Sequence, residues 1–154
     1  MVDSAADMRT FPYWMAALLT VAADQLSKWQ AARAVDPGQS VPLAGELLRL
    51  TRVHNPGGAF GLFPHHQVAF VGLSCAVAAL LTAALIFGWL PGRLPRAGGA
   101  LLWAGAVGNL VDRLRWGYVL DFLELSLLPV FNLADLAVVA GVGLVGWGLL
   151  RGRP

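Results

Sequence analysis

Residues 130–150 read VFNLADLAVVAGVGLVGWGLL. A helix that crosses a bilayer needs roughly 20 mostly apolar residues, and this stretch supplies them with two polar exceptions near its start, Asn132 and Asp135. The plain reading of Asp135 is a carboxylate in the first turn, favoured there by the helix dipole. That reading would suit a soluble helix, but it does not explain an Asn/Asp pair at lipid depth, where an ionisable side chain costs about 2.5–3.5 kcal/mol on insertion scales.

Composition points the same way. Of 154 residues, 57% are hydrophobic and 13% charged, about half the charge of an ordinary soluble domain. The chain reads as an integral membrane protein. A net charge of +2 and the lack of any Lys/Arg run give no footing for nucleic acid. Cys75 is the single cysteine, so no internal disulfide forms. The first residues carry Asp3 and Asp7 against Arg9. This is a poor signal-peptide start, and the first apolar segment is expected to be retained.

Four segments qualify as spans: about 12–32, 67–90, 95–114 and 130–150. The expected fold is an all-α membrane protein with four transmembrane helices, forming one integral membrane domain over 1–154. The second and third spans are joined by a tight Pro-Gly turn. The first and second are separated by a loop of about residues 33–66, in which Leu48-Arg49-Leu50-Thr51 alternates apolar and polar. That period of two predicts a small β-containing surface subdomain between the first two helices.

Successive spans run in opposite directions, so the polar residues can be assigned to faces. Asp24, Ser27 and Lys28 end the first span, Asn109, Asp112 and Arg113 end the third, and Asn132 and Asp135 begin the fourth. Asn55 and Asp121 sit in the adjoining loops. All fall on one face, which implies a polar site just under one membrane surface. Charge counting does not orient the protein: five Lys/Arg flank the plain face and six the site face.

The motifs divide by strength. In Asp24-Gln-Leu-Ser-Lys28 the charges stand at i and i+4, and an ion pair that lowers the insertion cost explains them, with Lys28 also able to reach the interface. Asn55-Pro-Gly-Gly-Ala-Phe-Gly61 is by itself a loop turning into the second span. In Gly105–Arg113, Ala104 and Gly108 allow close helix packing. Packing does not explain Asn109 and Asp112 on one helical face, with Arg113 turned away from it. Asp121, bracketed by Val119, Leu120, Phe122 and Leu123, is expected to have its pKa raised by desolvation. His54, His65 and His66 have no ligand spacing, so no metal site is expected.

Two carboxylates at a sheltered site cannot both ionise cheaply, so one keeps its proton. The ionised partner can take a proton from water, and the protonated one can supply the carbonyl oxygen and then the leaving amine. Asn109 and Asn132 could orient them. This chemistry needs no cofactor and no covalent intermediate. Asp112 and Asp121 both qualify as the first carboxylate, beside Asp135.

The motifs DQLSK, NPGGAFG, GAVGNLVDR, VLDF and FNLAD, in that order on four spans, resemble the bacterial lipoprotein signal peptidases (signal peptidase II) over about residues 12–150. The resemblance implies an aspartic endopeptidase of the bacterial inner membrane, with both termini cytoplasmic and the site near the periplasmic leaflet. It implies prolipoprotein substrates carrying diacylglyceryl on a cysteine, cleavage just before that cysteine, contact with membrane lipid, and inhibition by globomycin. It places the catalytic pair on Asp121 and Asp135. The supporting set falls on Asp24, Lys28, Asn55, Gly57, Gly108, Asn109, Asp112, Arg113, Asn132 and Ala134. Pro56 and Gly58 stand where the family loop usually has Thr and Ala.

Two other classes fit less well. A small proton- or ion-coupled transporter subunit calls for polar groups at mid-membrane, but AVVAGVGLVGWGLL has none. A membrane scaffold leaves paired Asn/Asp sites on two spans unexplained. The loop from Arg33 to His66, with its surface strands and the AFGLF stretch, is expected to lie on the bilayer and clamp substrate.

Overall fold

The structure is a computed structural model that describes residues 4–45, 47–57 and 67–152, with side chains described from residue 10 onward. AFGLF, His65 and His66 lie outside the described residues. The chain order is α1 (Ser4–Ala34), β1 (Ser40–Ala44), β2 (Leu48–Asn55), α2 (Gln67–Ile86), α3 (Arg93–Trp116), β3 (Val119–Leu125) and α4 (Leu133–Arg151).

All four expected helices form, with shifted ends. α1 begins at Ser4 and runs through Pro12. α2 stops at Ile86, not Leu90, where Gly88 turns to φ 71°, a left-handed conformation that glycine adopts without strain. α3 starts two residues before Pro95, whose missing N–H has no helical partner to lose there. α2 and α4 are long and apolar enough to cross a membrane by length and composition. α1 and α3 carry most of the charged residues of the helices. Large apolar side chains dominate the outward faces: Leu19, Val68, Leu80, Val139 and Leu150 are all more than half exposed.

α3 and α4 meet along a seam of small residues. A Cβ on Gly98 would lie 2.6 Å from the Gly141 carbonyl oxygen, and one on Gly105 would lie 2.5 Å from that of Ala134. The backbones are therefore nearly in contact, as small residues allow. Gly108 belongs to this seam. Ala104 instead packs with Ala17, Leu85 and Ala100, where α1, α2 and α3 converge.

The β subdomain is larger than expected. β1 and β2 pair antiparallel inside the first loop, as the alternation predicts. The third strand, however, comes from residues 119–125, read above as part of a connecting loop, and it pairs with β2 so that Val53 faces Asp121 and Asn55 faces Val119. Short-range periodicity cannot reveal a strand whose partner residues are 64 to 77 positions away, from Asn55 with Val119 to Leu48 with Leu125. β3 packs Leu120 and Phe122 against Ala31 of α1, which turns Asp121 to the opposite face. Arg52 of β2 donates to the Ala32 carbonyl at 2.9 Å, which ties the sheet to the C-terminus of α1.

Candidate active site

Local backbone structure brings the two candidate carboxylates together. After β3 the chain folds back, and Phe131 and Leu123 exchange N–H···O bonds of 2.9 and 2.8 Å. This bridge sets Asn132 beside Asp121. Asn132 then caps α4: its Oδ1 accepts the Asp135 N–H at 3.0 Å, and its own N–H donates to Asp135 Oδ2 at 3.2 Å. This is a reciprocal capping box with Asp in the place usually taken by Glu.

Asn132 also bridges the pair, because its Nδ2 donates to Asp121 Oδ1 at 2.6 Å. Asn55 Nδ2 donates to Asp121 Oδ2 at 2.9 Å, and Asn109 Nδ2 to Asp135 Oδ1 at 2.8 Å. Each carboxylate thus accepts from two N–H groups. Asp121 is buried at 3% exposure, while Asp135 is half-buried. Desolvation is the main cause that pushes Asp121 up from 3.8 to about 6, and the Asp135 charge adds to it. The hydrogen bonds from Asn55 and Asn132 oppose the rise.

A second cluster lies beneath. Lys28 is wholly buried; its ammonium is 2.8 Å from Asp24, 2.9 Å from Asp112 and 3.0 Å from Asn109 Oδ1. The i,i+4 ion pair forms as expected, but Lys28 does not reach the interface. Asp112, the rival for the first carboxylate, is fully buried and occupied by Lys28, by the Leu120 N–H at 3.0 Å and by Gln25 Nε2 at 2.9 Å. Its neutralising cation is Lys28, not Arg113. Arg113 points away from Asp112, as the helical spacing requires, and donates to the Gly57 carbonyl at 3.2 Å. Gly57 in turn donates its N–H to Asn55 Oδ1 at 3.0 Å.

The remaining candidates define contacts. The Ala134 N–H donates to Asp24 Oδ1 at 2.9 Å. Gly108 leaves room for Asp24, whose Oδ2 would stand 2.8 Å from a Cβ placed there. All twelve residues named from sequence therefore gather at one end of the helices. Gln25, which also donates to the Gly108 carbonyl at 3.1 Å, was missed. Its only sequence signal was its place inside DQLSK. Among the described residues no buried side-chain nitrogen or oxygen lacks a partner, and no group of three or more His, Cys, Asp or Glu is placed to hold a metal ion.

Apolar-faced helices with a polar, carboxylate-bearing site at one end and a small sheet beside it define a membrane enzyme. A solved bacterial membrane enzyme, determined by the in meso method at 2.3 Å resolution, has the same fold, with TM-score 0.85 and 28% identity over 91% of this chain and 88% of that one. A second, at 1.9 Å resolution, gives TM-score 0.83 and 27% identity over 92% of this chain and 94% of that one. The family described as Signal peptidase (SPase) II matches residues 16–151, and the chain belongs to that family. Its relatives include the lipoprotein signal peptidase of Moorella thermoacetica, 48% identical over 90% of this chain and 93% of that protein. That of Pelotomaculum thermopropionicum is 41% identical over 83% and 84%.

Proposed function

We propose that this membrane peptidase removes the signal peptide from diacylglyceryl-modified prolipoproteins by aspartic catalysis, cutting just before the lipid-bearing cysteine. Family membership supports the peptidase activity and the prolipoprotein substrate. The observation that carries the mechanism is Asn132, which holds Asp121 through its side chain and Asp135 through its backbone.

In this reading Asp135, half-buried, is the ionised partner and takes a proton from water. The water attacks the scissile carbonyl. Asp121, buried and holding its proton to about pH 6, donates to the carbonyl oxygen and then to the departing amine. Asn55, Asn109 and Asn132 orient the pair, and Arg113 holds the Gly57 loop beside it. All four helices span the bilayer of the bacterial inner membrane, α1 and α3 with their charges at the site end. The termini lie in the cytoplasm and the site under the outer leaflet. There the acyl chains of the substrate stay in lipid while its peptide bond meets water. Globomycin-type inhibitors compete for the same site. The features favour hydrolysis over ion transport, since the polar groups stay at one end of the helices.

The experiment is cleavage of a synthetic diacylglyceryl-modified precursor by purified protein in detergent. Asp121→Asn and Asp135→Asn are each expected to lose at least about 10³-fold in turnover while staying folded. Near-parental cleavage by either variant removes that residue from the pair.

A further inference from the structure

Lys28 contacts neither carboxylate of the pair, yet it sits where both are anchored. We propose that Lys28 is a positioning residue: with Asp24 and Asp112 it sets the spacing of the catalytic pair, and through Asn109 it sets the direction of the hydrogen bonds that reach it. This rests on the aspartic reading above.

Asp112 accepts the N–H of Leu120, the residue before Asp121, at 3.0 Å. Asp24 accepts the N–H of Ala134, the residue before Asp135, at 2.9 Å. The Lys28 ammonium lies between these two carboxylates, at 2.8 and 2.9 Å. One cation thus clamps β3 and α4 at the positions next to the reacting side chains.

An ammonium has three N–H donors and no acceptor. All three are used, on Asp24, Asp112 and Asn109 Oδ1, so none is left for substrate. Asn109 must turn its oxygen to Lys28, and its Nδ2 is then committed to Asp135 at 2.8 Å. Asn132 is fixed in the same way: its oxygen caps the Asp135 N–H, so its Nδ2 faces Asp121 at 2.6 Å and Asn109 Oδ1 at 3.1 Å. With Asn109 flipped, its amide nitrogen would face the ammonium and the Asn132 Nδ2, and its oxygen would face Asp135. The cation forbids that arrangement.

Around the carboxylate pair the charged groups are Lys28 on α1, with its partners Asp24 on the same helix and Asp112 on α3, and Arg113 on α3. β2 contributes the neutral Asn55. Lys28 favours the ionised form of Asp121, so its loss holds the proton on the pair to higher pH.

The test uses Lys28→Gln and the double variant Asp24→Asn/Lys28→Met. In the double variant the Ala134 N–H keeps an acceptor, and one carboxylate and the one cation are removed together, so the net charge of the cluster is unchanged. Turnover of the diacylglyceryl-modified precursor is measured per folded enzyme, with folding scored by thermal unfolding. The expected result is kcat lower by about 10²-fold with KM within about threefold. In Lys28→Gln the descending limb of the pH profile moves to higher pH. Should Lys28→Gln fail to fold, the double variant decides on kcat and KM. A folded variant with parental kcat, or one that loses only in KM, overturns the proposal. If Asp121→Asn and Asp135→Asn are inactive while the Lys28 variants turn over normally, only this inference falls. If the Asp variants themselves retain turnover, the aspartic reading falls instead.

Discussion

Asn132 and Asp135 cap each other: the Asp135 N–H lies 3.0 Å from Asn132 Oδ1, and the Asn132 N–H lies 3.2 Å from Asp135 Oδ2. The same two residues therefore start α4 and build the site. An ordinary helix signal and the proposed catalytic constellation occupy the same atoms.

Asn132→Ala removes both roles together. Losing an N-cap side chain costs about 0.5–2 kcal/mol, and Asp121 also loses its 2.6 Å donor. The expected outcome is a modest fall in Tm with a disproportionate loss of turnover, about 10²-fold or more. Thermal unfolding and precursor cleavage on the same preparation separate the two effects.

Asp121 makes stability depend on pH in a defined direction. The fold keeps its proton to about pH 6, where an ordinary aspartate releases it near 3.8. Between those values the folded chain binds more protons than the unfolded one. Stability therefore falls as pH rises through that window and is flat above it. The total amounts to at most about 3 kcal/mol. Asp121→Asn is expected to flatten the fall in Tm between roughly pH 4 and 6. An unchanged slope in that variant would contradict the assignment of the titration to Asp121.

Asn55 tunes the same proton. Its hydrogen bond favours the ionised form of Asp121. Asn55→Ala is expected to move the descending limb of the kcat/KM profile to higher pH, with reduced turnover at the optimum. A limb that moves to lower pH would place the group it reports elsewhere.

Asp112 and Asp121 are separated by stability. Asp112 accepts from the buried Lys28 at 2.9 Å, from the Leu120 N–H at 3.0 Å and from Gln25 Nε2 at 2.9 Å, and removing it leaves these buried donors without that acceptor, at about 1–3 kcal/mol each. Asp112→Ala is expected to unfold far below the parent, while Asp121→Asn keeps the fold and loses only cleavage. Thermal unfolding in detergent tells them apart.

The α3–α4 seam makes a packing prediction. A methyl at Gly98 would sit 2.6 Å from the Gly141 carbonyl oxygen, which is backbone and cannot swing aside. Gly98→Ala is expected to cost about 1–3 kcal/mol. Gly143, with open space around its Cβ position, serves as the tolerant control in the same helix pair.

The candidate site was legible in the sequence because its residues break a strong local rule. Polar side chains inside apolar spans are conspicuous, and antiparallel helices place alternate span ends on one face. That logic found Asp24, Lys28, Asn109, Asp112, Asn132 and Asp135 together. It failed for Gln25, which the apolar pattern does not set apart from a helix-end residue. Nor could it show that the cation of Asp112 is Lys28, 84 residues away in the chain.

By itself the sequence determined the four helices, the end of the bundle where the polar groups collect and most of the residues that gather at the candidate site, because helix length and apolar pattern are local properties. Only the tertiary structure decided that Asp121 rides on a third strand paired with β2, that Lys28 is buried between Asp24 and Asp112, and that Asn132 reaches both carboxylates. Those facts depend on strand pairing and charge partnership between segments far apart in the chain. The energies that select them are set by burial and distance, which no local period records.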